Sequence, residues 1–84
     1  MPTTMNRDHP RWGEFIERLA GRCDIQEDGF ARNCLGGRDK SKAIAIMESM
    51  GDIDIPASLA FFVRRAGFCD CEILFNVADY DANR

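Results

Sequence analysis

Four cysteines are the side chains of this sequence best suited to chemistry. Cys69 and Cys71 flank a single residue near the C-terminus, and ten residues separate Cys23 from Cys34 upstream. Thiolates bind zinc and copper(I), and they are also the nucleophiles of thiol redox chemistry. Tetrahedral zinc takes four such ligands, although neither spacing is the two-residue spacing of a zinc knuckle. The count predicts one metal site, for zinc or alternatively copper(I), held by Cys23, Cys34, Cys69 and Cys71.

The stretch from Cys69 to Val77 alternates apolar and polar side chains, with Leu74 as the exception. A period of two predicts a half-buried strand whose apolar face carries both Cys69 and Cys71. On that face the cysteines are either small core residues or two thiolates directed at one ion. Alternate Cα atoms of a strand lie about 6.6 Å apart, near the limit for bridging, so the pattern argues against a Cys69–Cys71 disulfide. Inward positions are predicted for Cys69, Cys71, Ile73, Phe75 and Val77.

Two carboxylates, Asp70 and Glu72, occupy the opposite face of this predicted strand. They can act as an acid/base pair, but solvated carboxylates are much the commoner explanation of an outward face. The only histidine, His9, lies far from the cysteines in sequence, and no base or cation is evident to activate a thiol. We therefore predict no catalytic residue, and we predict that Asp70 and Glu72 face water and contact a partner.

The order Gly67, Cys69-Asp70-Cys71-Glu72, an apolar run and Asn76-Val77 resembles the C-terminal signature of an uncharacterised bacterial family of small proteins. That family is known only as a domain of unknown function. The resemblance extends from Trp12 to Val77 and includes an upstream cysteine, matched here by Cys34. Relatives often carry a histidine two residues after that cysteine, where this sequence has Gly36, so any ligand supplied by that histidine is missing here. The resemblance implies no known activity.

Three segments place apolar residues at i, i+3, i+4 and i+7, which predicts three amphipathic helices. Asp8 and Asp39 are candidate N-terminal caps, and Gly21, Gly51 and Gly67 are candidate stops. The predicted core faces are Trp12, Phe15, Ile16 and Leu19; Ala43, Ile46, Met47 and Met50; and Leu59, Phe62, Val63 and Ala66.

The connection between the first two helices, residues 22–38, lacks helical periodicity and is long for a compact domain. We expect a short strand at Phe30–Leu35 to pair with the cysteine strand, and a metal at Cys34 is compatible with that pairing. The predicted fold is therefore α+β: a small, mainly helical domain of about three amphipathic helices packed on a short two-stranded β ribbon.

The chain of 84 residues is predicted to form a single domain, 1–84, with an ordered core of roughly 8–78 and frayed termini. Its net charge of −3 argues against nonspecific nucleic-acid binding. No apolar run approaches a membrane span or a secretory signal, so we expect a cytoplasmic protein that does not contact a membrane. We expect a small, soluble, non-catalytic interaction module with an unknown protein partner, stabilised by a structural metal at the cysteines. The alternative is a thiol-based redox or metal-handling protein that uses Cys69 and Cys71.

Overall fold

The computed structural model describes residues 2–24 and 39–78, and it is helical wherever it has regular structure within those ranges. Three helices appear where the sequence predicts them, and a fourth helical segment follows. In chain order they are α1 (Trp12–Cys23), α2 (Ser41–Met50), α3 (Ile55–Arg64) and α4 (Asp70–Glu72), which continues as a π-helical segment (Ile73–Val77).

The predicted two-stranded ribbon is wrong for the part of the chain that the structure describes. The cysteine stretch is helical from Asp70 to Val77, with a five-residue hydrogen bond from the Ala78 amide to the Ile73 carbonyl at 3.1 Å. Ile73, Leu74 and Val77 are all buried, and their spacing is that of a helical face. Leu74 is the apolar residue that breaks the alternation, and the helix explains it, because Leu74 lies on the buried helical face. The proposed partner strand, Phe30–Leu35, lies outside the described residues.

The α1 helix begins and ends differently from the sequence prediction, whereas α2 ends as predicted. The α1 helix continues past Gly21 to Cys23 and ends where Asp24 takes a left-handed φ of 55°. Asp8 does not cap α1, because Arg11 precedes its first residue and supplies no side-chain cap. Gly51 does follow α2, with a φ of 72°, as predicted.

The third helix begins at a cap that the sequence analysis did not identify and ends one residue earlier than expected. The Asp54 carboxylate accepts a hydrogen bond from the Ala57 amide at 3.1 Å. At the other end, the Ala66 amide donates to Val63 and the Gly67 amide to Phe62, which is the paired pattern of a Schellman motif. Ala66 therefore holds the left-handed position, with a φ of 64°, that was predicted for Gly67.

The N-terminal segment is packed rather than frayed between Thr3 and Met5. Thr3 forms an isolated parallel bridge with Ile53, and the Met5 side chain has no exposed surface. The Met5 amide donates to the buried hydroxyl of Ser58 at 2.8 Å. The buried Met5 side chain and the backbone hydrogen bonds of Thr3 and Met5 together attach this segment to α3 and the residues before it.

The core lies between α1, α2, α3 and the π-helical segment, and Phe62 at its centre is fully buried. Its ring stacks on that of Phe15, with the ring centroids 5.8 Å apart. The buried stripe of α3 is centred on Ser58 and Phe62, so Val63, about 100° further round the helix, points outward and is 42% exposed. The prediction that Val63 belongs to the core is therefore wrong, and Leu59 is only partly buried.

None of the helices in the described ranges is long and apolar enough to cross a membrane.

Candidate functional site

The helical turn at residues 69–72 brings the two C-terminal cysteines together. The Cys69 and Cys71 sulfur atoms lie 3.3 Å apart, which is hydrogen-bonding distance and well beyond the roughly 2.05 Å of a disulfide bond. Cys69 is 2% exposed, whereas Cys71 is half-buried. The two thiols are thus adjacent but differ in their access to solvent.

The sequence argument against a Cys69–Cys71 disulfide depends on a strand spacing that does not apply. Cys69 has extended backbone angles and precedes the first residue of α4, while Cys71 lies inside that helix. In a helical turn, alternate Cα atoms lie about 5.4 Å apart, inside the range of roughly 4.4–6.8 Å seen in disulfides. The change from strand to helix makes bridging of the pair sterically feasible.

Glu72 completes the immediate surroundings of the pair. One oxygen of its half-buried carboxylate accepts a hydrogen bond from the Cys69 thiol, with sulfur and oxygen 3.4 Å apart. This is the acceptor that the sequence analysis did not find near a thiol, because a strand would place residues 69 and 72 on opposite faces. In the helical turn they are three residues apart and lie on the same side.

Asp70 is fully buried, so the prediction that its side chain faces water is wrong. Its two carboxylate oxygens accept hydrogen bonds from the amides of Ala43, at 3.0 Å, and Lys42, at 3.3 Å. These amides belong to the first turn of α2, where helical N–H groups have no partner within the helix. Asp70 therefore caps a helix remote in sequence, and its contact with a partner stays a prediction.

Burial raises the pKa of the Asp70 carboxyl above its usual value, while the amides of Ala43 and Lys42 act in the opposite direction. The Lys42 ammonium, 4.0 Å from the carboxylate, also opposes the rise. A second carboxylate at the same helix end behaves differently. Hydrogen bonds from Ser41 hold the pKa of the half-buried Asp39 carboxyl below its usual value, because they favour the charged form.

Only part of the predicted four-cysteine metal site falls on described residues. Cys23 is buried in the core at the end of α1, and Cys34 lies outside the described ranges. Within residues 2–24 and 39–78, no three cysteine, histidine or acidic side chains are arranged to hold a metal ion. A zinc or copper(I) site that includes Cys34 stays a prediction, which elemental analysis of the purified protein would test.

Comparisons with known proteins identified no relative of this chain. No family model, no curated protein and no solved structure matches the chain. The resemblance to a bacterial family with a Gly-x-Cys-Asp-Cys-Glu signature stays a prediction.

Proposed function

We propose that the protein is a thiol-based redox protein in which Cys69 and Cys71 exchange with a disulfide substrate. The observation that supports this most directly is the 3.3 Å separation of the two sulfur atoms. The interaction module that the sequence also predicts is less well supported. Of the two carboxylates that were expected to contact a partner, Asp70 is buried and only Glu72 remains partly exposed.

Because the two thiols are buried to different extents, we assign them different steps of thiol–disulfide exchange. Thiol–disulfide exchange starts when a thiolate attacks one sulfur of a disulfide, so the attacking sulfur must be accessible. Cys71 is the more exposed of the pair and is assigned this first step. Its thiol loses a proton to solvent, its sulfur bonds to one sulfur of the substrate disulfide, and the other substrate sulfur leaves as a thiolate.

Cys69 then resolves the mixed disulfide. Its sulfur attacks the Cys71 sulfur, the bond between Cys71 and the substrate breaks, and the second substrate thiolate leaves. Overall, two protein thiols are oxidised to one disulfide, one substrate disulfide is reduced to two thiols, and the protons balance. The Glu72 carboxylate, 3.4 Å from the Cys69 sulfur, is placed to accept the proton that Cys69 loses.

The experiment that tests this function uses glutathione disulfide as the substrate and mass spectrometry of tryptic peptides as the readout. Cleavage after Arg65 yields a peptide, residues 66–84, that contains both Cys69 and Cys71 and no other cysteine. We expect the wild-type peptide to lose two hydrogen atoms. Cys69→Ser should accumulate glutathione on Cys71, whereas Cys71→Ser should react about tenfold more slowly because Cys69 is buried.

Two variants complete the test. Glu72→Gln should slow resolution of the mixed disulfide by about tenfold or more, because the amide cannot take the proton. Cys23→Ala is the control and should leave oxidation of peptide 66–84 unchanged. The proposal fails if peptide 66–84 stays reduced under conditions that oxidise the other cysteines, or if Cys69→Ser and Cys71→Ser react at the same rate.

A further inference from the structure

We infer that Asp70 is a positioning residue that sets the reduction potential of the Cys69–Cys71 pair. Oxidation of the pair in turn destabilises the first turn of α2. The inference rests on the proposed redox function and adds to it a link between the pair and a helix elsewhere in the fold. It follows from the hydrogen bonds that residue 70 forms with residues at the start of α2.

Asp70 is the single residue between the two cysteines, and both its backbone and its side chain are attached to the start of α2. Its amide donates to the Asp39 carbonyl at 3.0 Å. Its carboxylate accepts from the amides of Ala43 and Lys42. The position of the turn between the cysteines is therefore defined by contacts with residues 39–43.

The residue before the pair is attached to the same region. The Lys40 ammonium donates to the Phe68 carbonyl at 3.1 Å. The chain is thus anchored on both sides of Cys69 to the segment that leads into α2. Any rearrangement at Cys69 must be accommodated by these contacts, because Asp70 is fully buried and cannot move into solvent without losing them.

Disulfide formation requires such a rearrangement. The sulfur atoms must close from 3.3 Å to about 2.05 Å, and the dihedral angle about the new bond must approach roughly 90° in either sense. The resulting small ring contains the whole backbone of residue 70, so its closure changes the backbone angles there. The contacts to α2 are formed with the sulfurs unbonded. A change of the backbone angles at residue 70 weakens these contacts, and to that extent they favour the dithiol.

The coupling is reciprocal. If the contacts between Asp70 and α2 favour the dithiol, then formation of the disulfide must weaken those contacts by the same free energy. The first turn of α2 should consequently open more often in the oxidised protein, since the Lys42 and Ala43 amides lose their acceptor. The redox state of Cys69 and Cys71 thereby affects how often the first turn of α2 opens.

Asp39 offers a matched control. Its carboxylate accepts hydrogen bonds from the Ser41 amide, at 3.0 Å, and the Ser41 hydroxyl, at 2.6 Å, at the same end of α2. Asp39→Ala therefore also removes an acidic side chain from this helix end. It retains the backbone carbonyl that binds the Asp70 amide, and it lies outside the ring that the disulfide closes.

The test is equilibration of wild type, Asp70→Ala, Asp70→Asn and Asp39→Ala with defined ratios of reduced glutathione to glutathione disulfide. The oxidised fraction is read from peptide 66–84 after alkylation. We expect Asp70→Ala to raise the equilibrium constant for oxidation about tenfold, equivalent to a potential lower by about 30 mV, with Asp70→Asn intermediate. Asp39→Ala should stay within about twofold of wild type.

A second measurement uses the wild type alone and does not depend on whether a variant folds. Amide hydrogen exchange at Lys42 and Ala43 should be at least several-fold faster in the oxidised than in the reduced protein. A disulfide that forms with equal potentials in wild type and Asp70→Ala, or with unchanged exchange at both amides, would overturn this inference while leaving the redox function intact. Failure of the Cys69–Cys71 disulfide to form in any variant would overturn both.

Discussion

The carboxylate of Asp70 accepts a hydrogen bond at 3.0 Å from the backbone amide of Ala43, 27 residues earlier in the chain. Together with the Lys42 amide, this contact caps α2 with a side chain from another part of the fold. It also attaches the turn that carries Cys69 and Cys71 to the centre of the molecule. The relationship gives Asp70 a structural role, which can be measured independently of any redox activity.

Replacing Asp70 by alanine should lower the free energy of unfolding by about 2–3 kcal/mol, because the buried Ala43 amide and the partly buried Lys42 amide lose their acceptor. Asp70→Asn keeps the size and one carbonyl oxygen, so we expect a smaller loss of about 1 kcal/mol at pH 7. Urea denaturation of the reduced proteins would measure both values. A loss under about 0.5 kcal/mol for Asp70→Ala would show that the cap does not stabilise α2.

The difference in unfolding free energy between wild type and Asp70→Asn should depend on pH because the Asp70 carboxyl is buried. Burial raises the pKa of folded Asp70, so the folded protein binds this proton more tightly than the unfolded chain does. The associated stability is fully present below the unfolded pKa of about 3.9 and is lost as the pH rises through the folded pKa. The stability of wild type relative to Asp70→Asn should therefore fall as the pH is raised from 4 towards 7.

Asp39 should show the opposite trend and serves as the comparison. The pKa of its folded carboxyl is lowered by Ser41, so its contribution is present above the unfolded pKa and is lost as the pH falls through the folded pKa. Denaturation curves for Asp39→Asn and Asp70→Asn across the same pH range would distinguish the two. Parallel pH profiles would contradict the different burial of the two carboxyl groups.

Gly67 should be intolerant of a side chain for reasons of space. A Cβ added there would lie 2.9 Å from a methyl carbon of Val77 and 3.0 Å from the Phe62 carbonyl oxygen. We expect Gly67→Ala to reduce the free energy of unfolding by about 1–3 kcal/mol through overpacking. Gly21→Ala, in α1 with open space at its Cβ position, should instead be neutral or stabilising by up to about 1 kcal/mol.

Ala66 is the residue at this helix end for which glycine should be an improvement. Its φ of 64° is left-handed, a region that disfavours a Cβ by about 1–2 kcal/mol. Ala66→Gly should therefore raise the melting temperature, even though glycine also increases the entropy of the unfolded chain. A lower melting temperature for this variant would place the left-handed residue elsewhere in the turn.

The phase of α3 can be tested by a pair of adjacent substitutions. Phe62 is fully buried and stacks on Phe15, so Phe62→Ala should cost about 3–5 kcal/mol of unfolding free energy. Val63 is 42% exposed, and Val63→Ala should change stability by about 0.5 kcal/mol or less. Similar losses at the two positions would show that Val63 also belongs to the core.

Met5 is the buried side chain of the N-terminal segment. Met5 has no exposed surface and its amide is bound to Ser58, so Met5→Ala should cost about 2–5 kcal/mol. Pro2→Ala, at an exposed position in the same segment, should have little effect. Equal thermal stabilities of the two variants would contradict the packing of Met5 in the core.

By itself the sequence determined the three amphipathic helices, because apolar side chains repeated at helical spacing bury one face whatever lies opposite. It also determined the stop after α2 and the burial of Phe62 in the core. It did not determine the conformation of residues 69–77, because a short apolar run that alternates with polar residues fits either a strand or a helix. The strand was predicted from the period-two alternation, which assigned Asp70 to the outward, polar face.

The conformation of residues 69–77 was decided by tertiary contacts between residues far apart in the chain. The unpaired amides at the start of α2 supply the partner that a buried carboxylate requires, and residue 70 is thereby drawn into the core. The turn that results places the Cys69 and Cys71 sulfurs together and brings Glu72 beside one of them. Periodicity reports which faces are apolar, but it carries no information about which helix end a distant aspartate will cap.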